Sequence, residues 1–110
     1  MNRNDIQEKK IYKRFLKVKG YDNQIFKTIE ELSELIRALV KYELEKTNAN
    51  YEKLLKEIVD AELMIGQTKY NLNQGGYIKI LKQQKLKDLN ELLETLEQKT
   101  KTSPKEDQNK

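Results

Sequence analysis

The chain has 110 residues, 36% hydrophobic and 36% charged, with a formal net charge of +4. It contains no cysteine and no histidine, which excludes a disulfide framework, thiolate or imidazole metal ligation, and histidine-based acid/base or triad catalysis. Any chemistry has to run on carboxylates, lysines, arginines, tyrosines or a hard metal ion, in a chain long enough for one domain but thin enough in apolar residues to favour self-association.

Residues 1–19 hold seven basic and two acidic groups. Within them "KKIYKRFLKVK" predicts a short basic helix that uses Ile11, Phe15 and Val18, a segment set apart from the main domain. After Gly20, Asp22 is a helix N-cap. The first main helix then runs to the mid-40s, with Ile25, Ile29, Leu32, Ile36 and Leu39 on one buried face. "TNAN", 47–50, is a break with turn chemistry. The second main helix spans about 50–70 and carries Tyr51, Leu54, Leu55, Ile58, Ala61 and Ile65 on one face. Val59, Leu63 and Met64 lie off that stripe, which predicts a central helix or one that meets a second subunit. "NLNQGG", 71–76, ends it. The third main helix spans about 77–98 with a seam of Leu86, Leu89, Leu93 and Leu96. Residues 99–110 carry the only proline and read as a disordered polar tail.

The pattern predicts an all-α antiparallel helical bundle, with three main helices in 20–98 plus the basic N-terminal segment. The middle, 20–98, holds eleven basic and fourteen acidic groups, so the basicity belongs to the ends. That distribution argues against a nucleic-acid-binding core. No stretch is apolar enough to span a membrane, and "MNRNDIQEKK" lacks the apolar centre of a signal peptide, so the expected location is cytoplasmic.

Two short motifs carry the chemistry. The first main helix has Glu31-Leu32-Ser33-Glu34 and the second has Glu57-Ile58-Val59-Asp60; both read acid, apolar, x, acid. At about 100° per residue, each acid pair lies along one edge of its apolar stripe. Packing the stripes together lets the two edges converge into a four-carboxylate cluster. Such a cluster needs protons or a cation to hold it, and an all-oxygen donor set selects Mg²⁺, with Mn²⁺ as substitute. Mg²⁺ commonly takes substrate phosphates into its shell, so a site of this kind suits phosphate chemistry. A turn at 48–49 puts Glu34 and Glu57 out of level by roughly 8 Å at 1.5 Å per residue. The four-carboxylate site therefore calls for a first helix that ends near Tyr42 and a looser connection through "ELEKTNANYE", 43–52.

These motifs, with "GYDNQ", "IEELSELIRALVKY" and "LLKEIVDAELMIGQT" around them, resemble the MazG-like all-α nucleoside triphosphate pyrophosphohydrolases. The likeness is to the short single-domain form found in Gram-positive bacteria and their phages, and it covers roughly residues 20–93. The resemblance implies a helical bundle assembled as a dimer or tetramer. It implies Mg²⁺-dependent cleavage of a nucleoside triphosphate to the monophosphate and pyrophosphate, in cleaning of the nucleotide pool. By position, Glu31, Glu34, Glu57 and Asp60 would hold the metal. Glu31, Glu34 or the neighbouring Glu30 would orient or deprotonate the attacking water. Gln24, Lys27, Lys82 and Lys85 would contact base or phosphates. Lys56 and Asp88 depart from the family pattern, standing where a glutamate and an arginine are usual. The alternative reading is a non-enzymatic helical interaction module that works through its basic ends and the helix-three leucines.

Overall fold

A computed structural model describes residues 3–102, and the regular structure among them is all helix. Four helices follow in order: α1 Arg3–Lys19, α2 Tyr21–Leu44, α3 Asn48–Leu72 and α4 Gly75–Thr102. The chain divides into two compact units, one through Gln74 and one from Gly75. The expected all-α class holds. The basic segment is not a short accessory but a full helix, α1, that packs on α2 and α3. No helix among the described residues is long and apolar enough to cross a membrane. Of the expected tail 99–110, residues 99–102 continue α4; 103–110 lie outside the described residues.

The helix ends follow local chemistry. Gly20 separates α1 from α2 at φ 83°, a conformation that favours glycine. Thr47 caps α3, its Oγ accepting from the Asn50 amide at 3.1 Å, and Asn50 Nδ2 donates back to the Glu45 carbonyl at 2.8 Å. Asn73 ends α3 in the left-handed region at φ 55°, which asparagine tolerates.

α2 and α3 form the main pairing of the first unit. Their facing residues are not the apolar stripes. On α2 the buried or half-buried positions include Gln24, Thr28, Glu31, Leu35, Ala38 and Tyr42. On α3 they include Leu54, Glu57, Ala61, Met64, Thr68 and Asn71. Both sets step by four and three in alternation, the heptad spacing of a two-helix seam. Nearer the connection the seam carries Leu35, Ala38 and Tyr42 against Leu54 and Ala61, with Glu57 buried among them. Toward its far end it turns polar: Thr28 and Thr68 hydroxyls meet at 3.1 Å, and Asn71 Nδ2 donates to Gln24 Oε1 at 2.7 Å.

This corrects the expected core faces. Leu32 and Ile25 are half-buried, but Ile29, Ile36 and Leu39 are exposed, as are Tyr51, Leu55, Ile58 and Ile65 on α3. The hydrophobic stripes stand beside the seam because polar residues occupy it. On α1, Tyr12 and Leu16 turn inward, while Ile11, Phe15 and Val18 stay exposed. α1 docks where Tyr12 lies over Gly66 of α3: a Cβ at Gly66 would overlap the Tyr12 hydroxyl and ring. Tyr12 also stacks obliquely on Tyr70, ring centroids 6.3 Å apart. Among the described residues the second unit is α4, with Leu86, Leu89, Leu93 and Leu96 exposed along it.

Candidate metal centre and adjoining cleft

The acid-bearing edges of α2 and α3 converge. One carboxylate oxygen each from Glu31, Glu57 and Asp60 lie within 4.8 Å of one another. Glu31 and Glu57 are buried, at 7% and 3% exposure, and Asp60 opens to solvent. Like charges at about 4.8 Å and an effective dielectric of about 20 repel by about 3.5 kcal/mol, so the group needs nearby cations. Lys27 Nζ reaches Glu31 Oε1 at 3.0 Å and Glu30 Oε1 at 2.8 Å. Lys53 Nζ reaches Glu57 Oε1 at 3.0 Å. Both ammonium pKa values are pushed up: Lys27 by its hydrogen bonds to Glu30 and then Glu31, Lys53 by its hydrogen bond to Glu57, with Glu34 and Asp60 adding to the field. The lysines are themselves solvent-exposed, so they neutralise the cluster from its rim.

One atom stays unbalanced. Glu57 Oε2 is buried and has no hydrogen-bond partner among the described residues. A buried carboxylate oxygen left unpaired costs about 1–3 kcal/mol or more. A hard cation between Glu31, Glu57 and Asp60 would satisfy that oxygen and offset the mutual repulsion, and the donor set is the one Mg²⁺ or Mn²⁺ prefers. The residues fit the ion on that observation.

Of the four expected ligands, three come together. Glu34 is half-buried and contributes to the field on Lys53, but the three-carboxylate group does not include it. The expected loose connection is absent: α2 runs on to Leu44 and α3 starts at Asn48. The Gln24–Asn71 and Thr28–Thr68 contacts fix the register. That register sets Glu31 level with residues 64–65, so Asp60 lies about 6–8 Å and Glu57 about 11–12 Å nearer the connection at 1.5 Å per residue. The length of the glutamate side chains spans the offset without a change in the connection.

Beside the carboxylates lies a cleft of about 800 Å³, within the range that holds small ligands. Its charged end is Lys27, Glu31 and Asp60. Its apolar walls are Ile11, Tyr12 and Phe15 from α1 facing Leu63 and Met64 from α3. Gln24, Asn23 and Gln67 add amide groups. The lining residues all come from α1, α2 and α3. Lys82 and Lys85 stand exposed on α4, in the second unit. Glu30 is exposed and tied to Lys27.

Sequence reasoning did not anticipate the part α1 plays as a cleft wall, nor Gln67, which is 3% exposed. Gly66 was the available signal: a lone glycine inside a helix marks a close approach. No family model, no curated protein and no solved structure matches this chain.

Proposed function

We propose that this protein is a Mg²⁺-dependent nucleoside triphosphate pyrophosphohydrolase of the MazG-like kind, releasing the monophosphate and pyrophosphate in the cytoplasm. The observation that carries this reading is the buried, unpartnered Glu57 Oε2 within a three-carboxylate group that opens on a ligand-sized cleft. Glu31, Glu57 and Asp60 would hold the ion, and the resemblance adds Glu34 as a fourth ligand. The bound ion would supply charge stabilisation at the phosphates and lower the pKa of a bound water.

The chain's own residues have distinct tasks. Lys27 is protonated at physiological pH as lysines ordinarily are, and Glu30 and Glu31 raise its pKa further, so it offers a fixed positive charge to a phosphate entering the cleft. Glu30, once Lys27 turns to that phosphate, is free to orient or accept a proton from the attacking water. The apolar walls exclude water from one side of the ligand. The resemblance alone assigns Lys82 and Lys85 of α4 to the phosphates. A dimer or tetramer with the bundle completed between copies is supported by the exposed Ile29, Ile36, Val40 and Val59.

The test is a panel of canonical and modified nucleoside triphosphates with Mg²⁺, read as pyrophosphate. Turnover that Glu31→Gln abolishes is expected; no turnover of any member sinks the proposal. The exposed α4 leucines favour a second reading, a helical interaction module. Under it, removing residues 75–110 would abolish partner or self-association with no loss of any hydrolysis.

A further inference from the structure

The amide side chains at the cleft are ordered by a hydrogen-bond chain whose sense is fixed at one end. The Tyr12 main-chain carbonyl can only accept, so it takes the amide nitrogen of Gln67, Nε2 to O at 2.8 Å. The same nitrogen donates to Asn71 Oδ1 at 2.9 Å. Asn71 must then turn its Nδ2 toward Gln24, where it donates to Oε1 at 2.7 Å. Gln24 is 5% exposed and lines the cleft. With Oε1 turned to Asn71, Nε2 is the end of the amide that these bonds do not engage, and it is a donor only. The neighbouring Asn23 is fixed in the opposite sense. Its Nδ2 donates to the Lys19 main-chain carbonyl at 2.8 Å, which leaves Oδ1 as an acceptor on the same cleft.

We infer that the cleft recognises a nucleobase through a ring carbonyl next to a ring N–H, with Gln24 Nε2 donating to the carbonyl and Asn23 Oδ1 accepting from the N–H. The inference rests on the nucleotide reading of this cleft. Hypoxanthine, guanine and uracil carry that edge. Adenine carries the reverse, an amino donor next to a ring acceptor, and would leave both amides unmatched. Tyr12, Phe15, Leu63 and Met64 supply apolar and aromatic surface for the faces of the ring. Asn71 is a positioning residue: it acts on the ligand only by setting which end of Gln24 points out.

Inosine and adenosine differ at this edge and carry no phosphate, so their binding is independent of metal and of hydrolysis. The experiment titrates each into the full-length protein in chelator-containing buffer and follows side-chain amide resonances by NMR. Inosine is expected to bind about tenfold more tightly than adenosine, the size of the one unmatched hydrogen bond that is buried, at Gln24, since Asn23 is solvent-exposed. Asn71→Asp presents two acceptors, to Gln67 and to Gln24, so Gln24 must reverse and show its oxygen. That variant is expected to lose or invert the preference while retaining the wild-type melting profile. Gln24→Glu removes the outward donor directly and is expected to lose the preference too, which keeps the test intact should Asn71→Asp fail to fold. Equal binding of the two nucleosides, binding of neither, or a preference that survives in the folded variants would overturn the inference. Failure of triphosphate hydrolysis alongside a clear inosine preference would sink the enzyme reading and leave the base recognition standing.

Discussion

Glu57→Gln separates a metal centre from a merely acidic helix edge, because it should act in opposite directions with and without metal. Without metal, the change removes repulsion from Glu31 and Asp60, about 3.5 kcal/mol for a pair at about 4.8 Å and an effective dielectric near 20. The exposed Asp60 contributes less because solvent screens it. Against this stand the lost contact with solvent-exposed Lys53, which is weak, and a buried amide that inherits the orphan position of Oε2 at about 1–3 kcal/mol. The net expectation in chelator is a variant equal to wild type or more stable by about 1 kcal/mol. With Mg²⁺ at about tenfold its dissociation constant, binding linkage adds about 1.4 kcal/mol to wild type. That corresponds to a rise of about 6–11 °C for a domain of this size. The variant should gain almost nothing. The assay is urea and thermal unfolding by circular dichroism, each in chelator and in millimolar Mg²⁺. A variant that is less stable in chelator yet keeps the full Mg²⁺ rise would refute the reasoning.

Other substitutions probe the surroundings. Lys53→Gln removes a cation that competes for Glu57, so Mg²⁺ should bind more tightly by calorimetry; weaker binding would contradict the competition. Gly66→Ala gains about 1 kcal/mol of helix propensity but drives a methyl into Tyr12, at about 1–3 kcal/mol for overpacking. A net loss near 1 kcal/mol by urea unfolding is expected, and a stabilised variant would mean α1 does not dock there. The Tyr12 phenol has a raised pKa, from burial first and Glu8 second. The folded state therefore holds its proton more tightly, and the stability it contributes is intact below the ordinary tyrosine range near pH 10 and lost as pH rises through the raised value. Tyr12→Phe should lose less stability between neutral and strongly alkaline pH than wild type; identical alkaline curves would remove Tyr12 from the interface. Thr47→Ala should cost about 1 kcal/mol of cap energy, read from the same unfolding curves.

The helices and their breaks were legible because they rest on local chemistry: Gly20, Thr47 and Asn73 mark ends by their own conformational or capping preferences. The convergence of Glu31, Glu57 and Asp60 was legible from the helical period, since acids along one edge of each helix meet when the helices pair. The seam itself was not. Gln24, Thr28, Glu31, Thr68 and Asn71 hold seam positions, and a search for apolar periodicity lands one step around the helix, on Ile29, Ile36 and Leu39. The requirement for a loose connection failed because it treated level as a matter of Cα height and neglected side-chain reach. The role of α1 was hidden for another reason. "KKIYKRFLKVK" is amphipathic on more than one face, and only a partner, here Gly66 and Tyr70, decides that Tyr12 turns inward.

The proposed function depends on binding of a hard divalent cation by Glu31, Glu57 and Asp60 at the edge of the cleft. Electron paramagnetic resonance of Mn²⁺ titrated into the protein measures that binding directly. Saturable loss of the free-ion signal is expected with wild type, with reversal by excess Mg²⁺ and no loss beyond a protein-free control for Glu57→Gln. Equal Mn²⁺ uptake by wild type and Glu57→Gln, or no uptake by wild type, would contradict binding at this site.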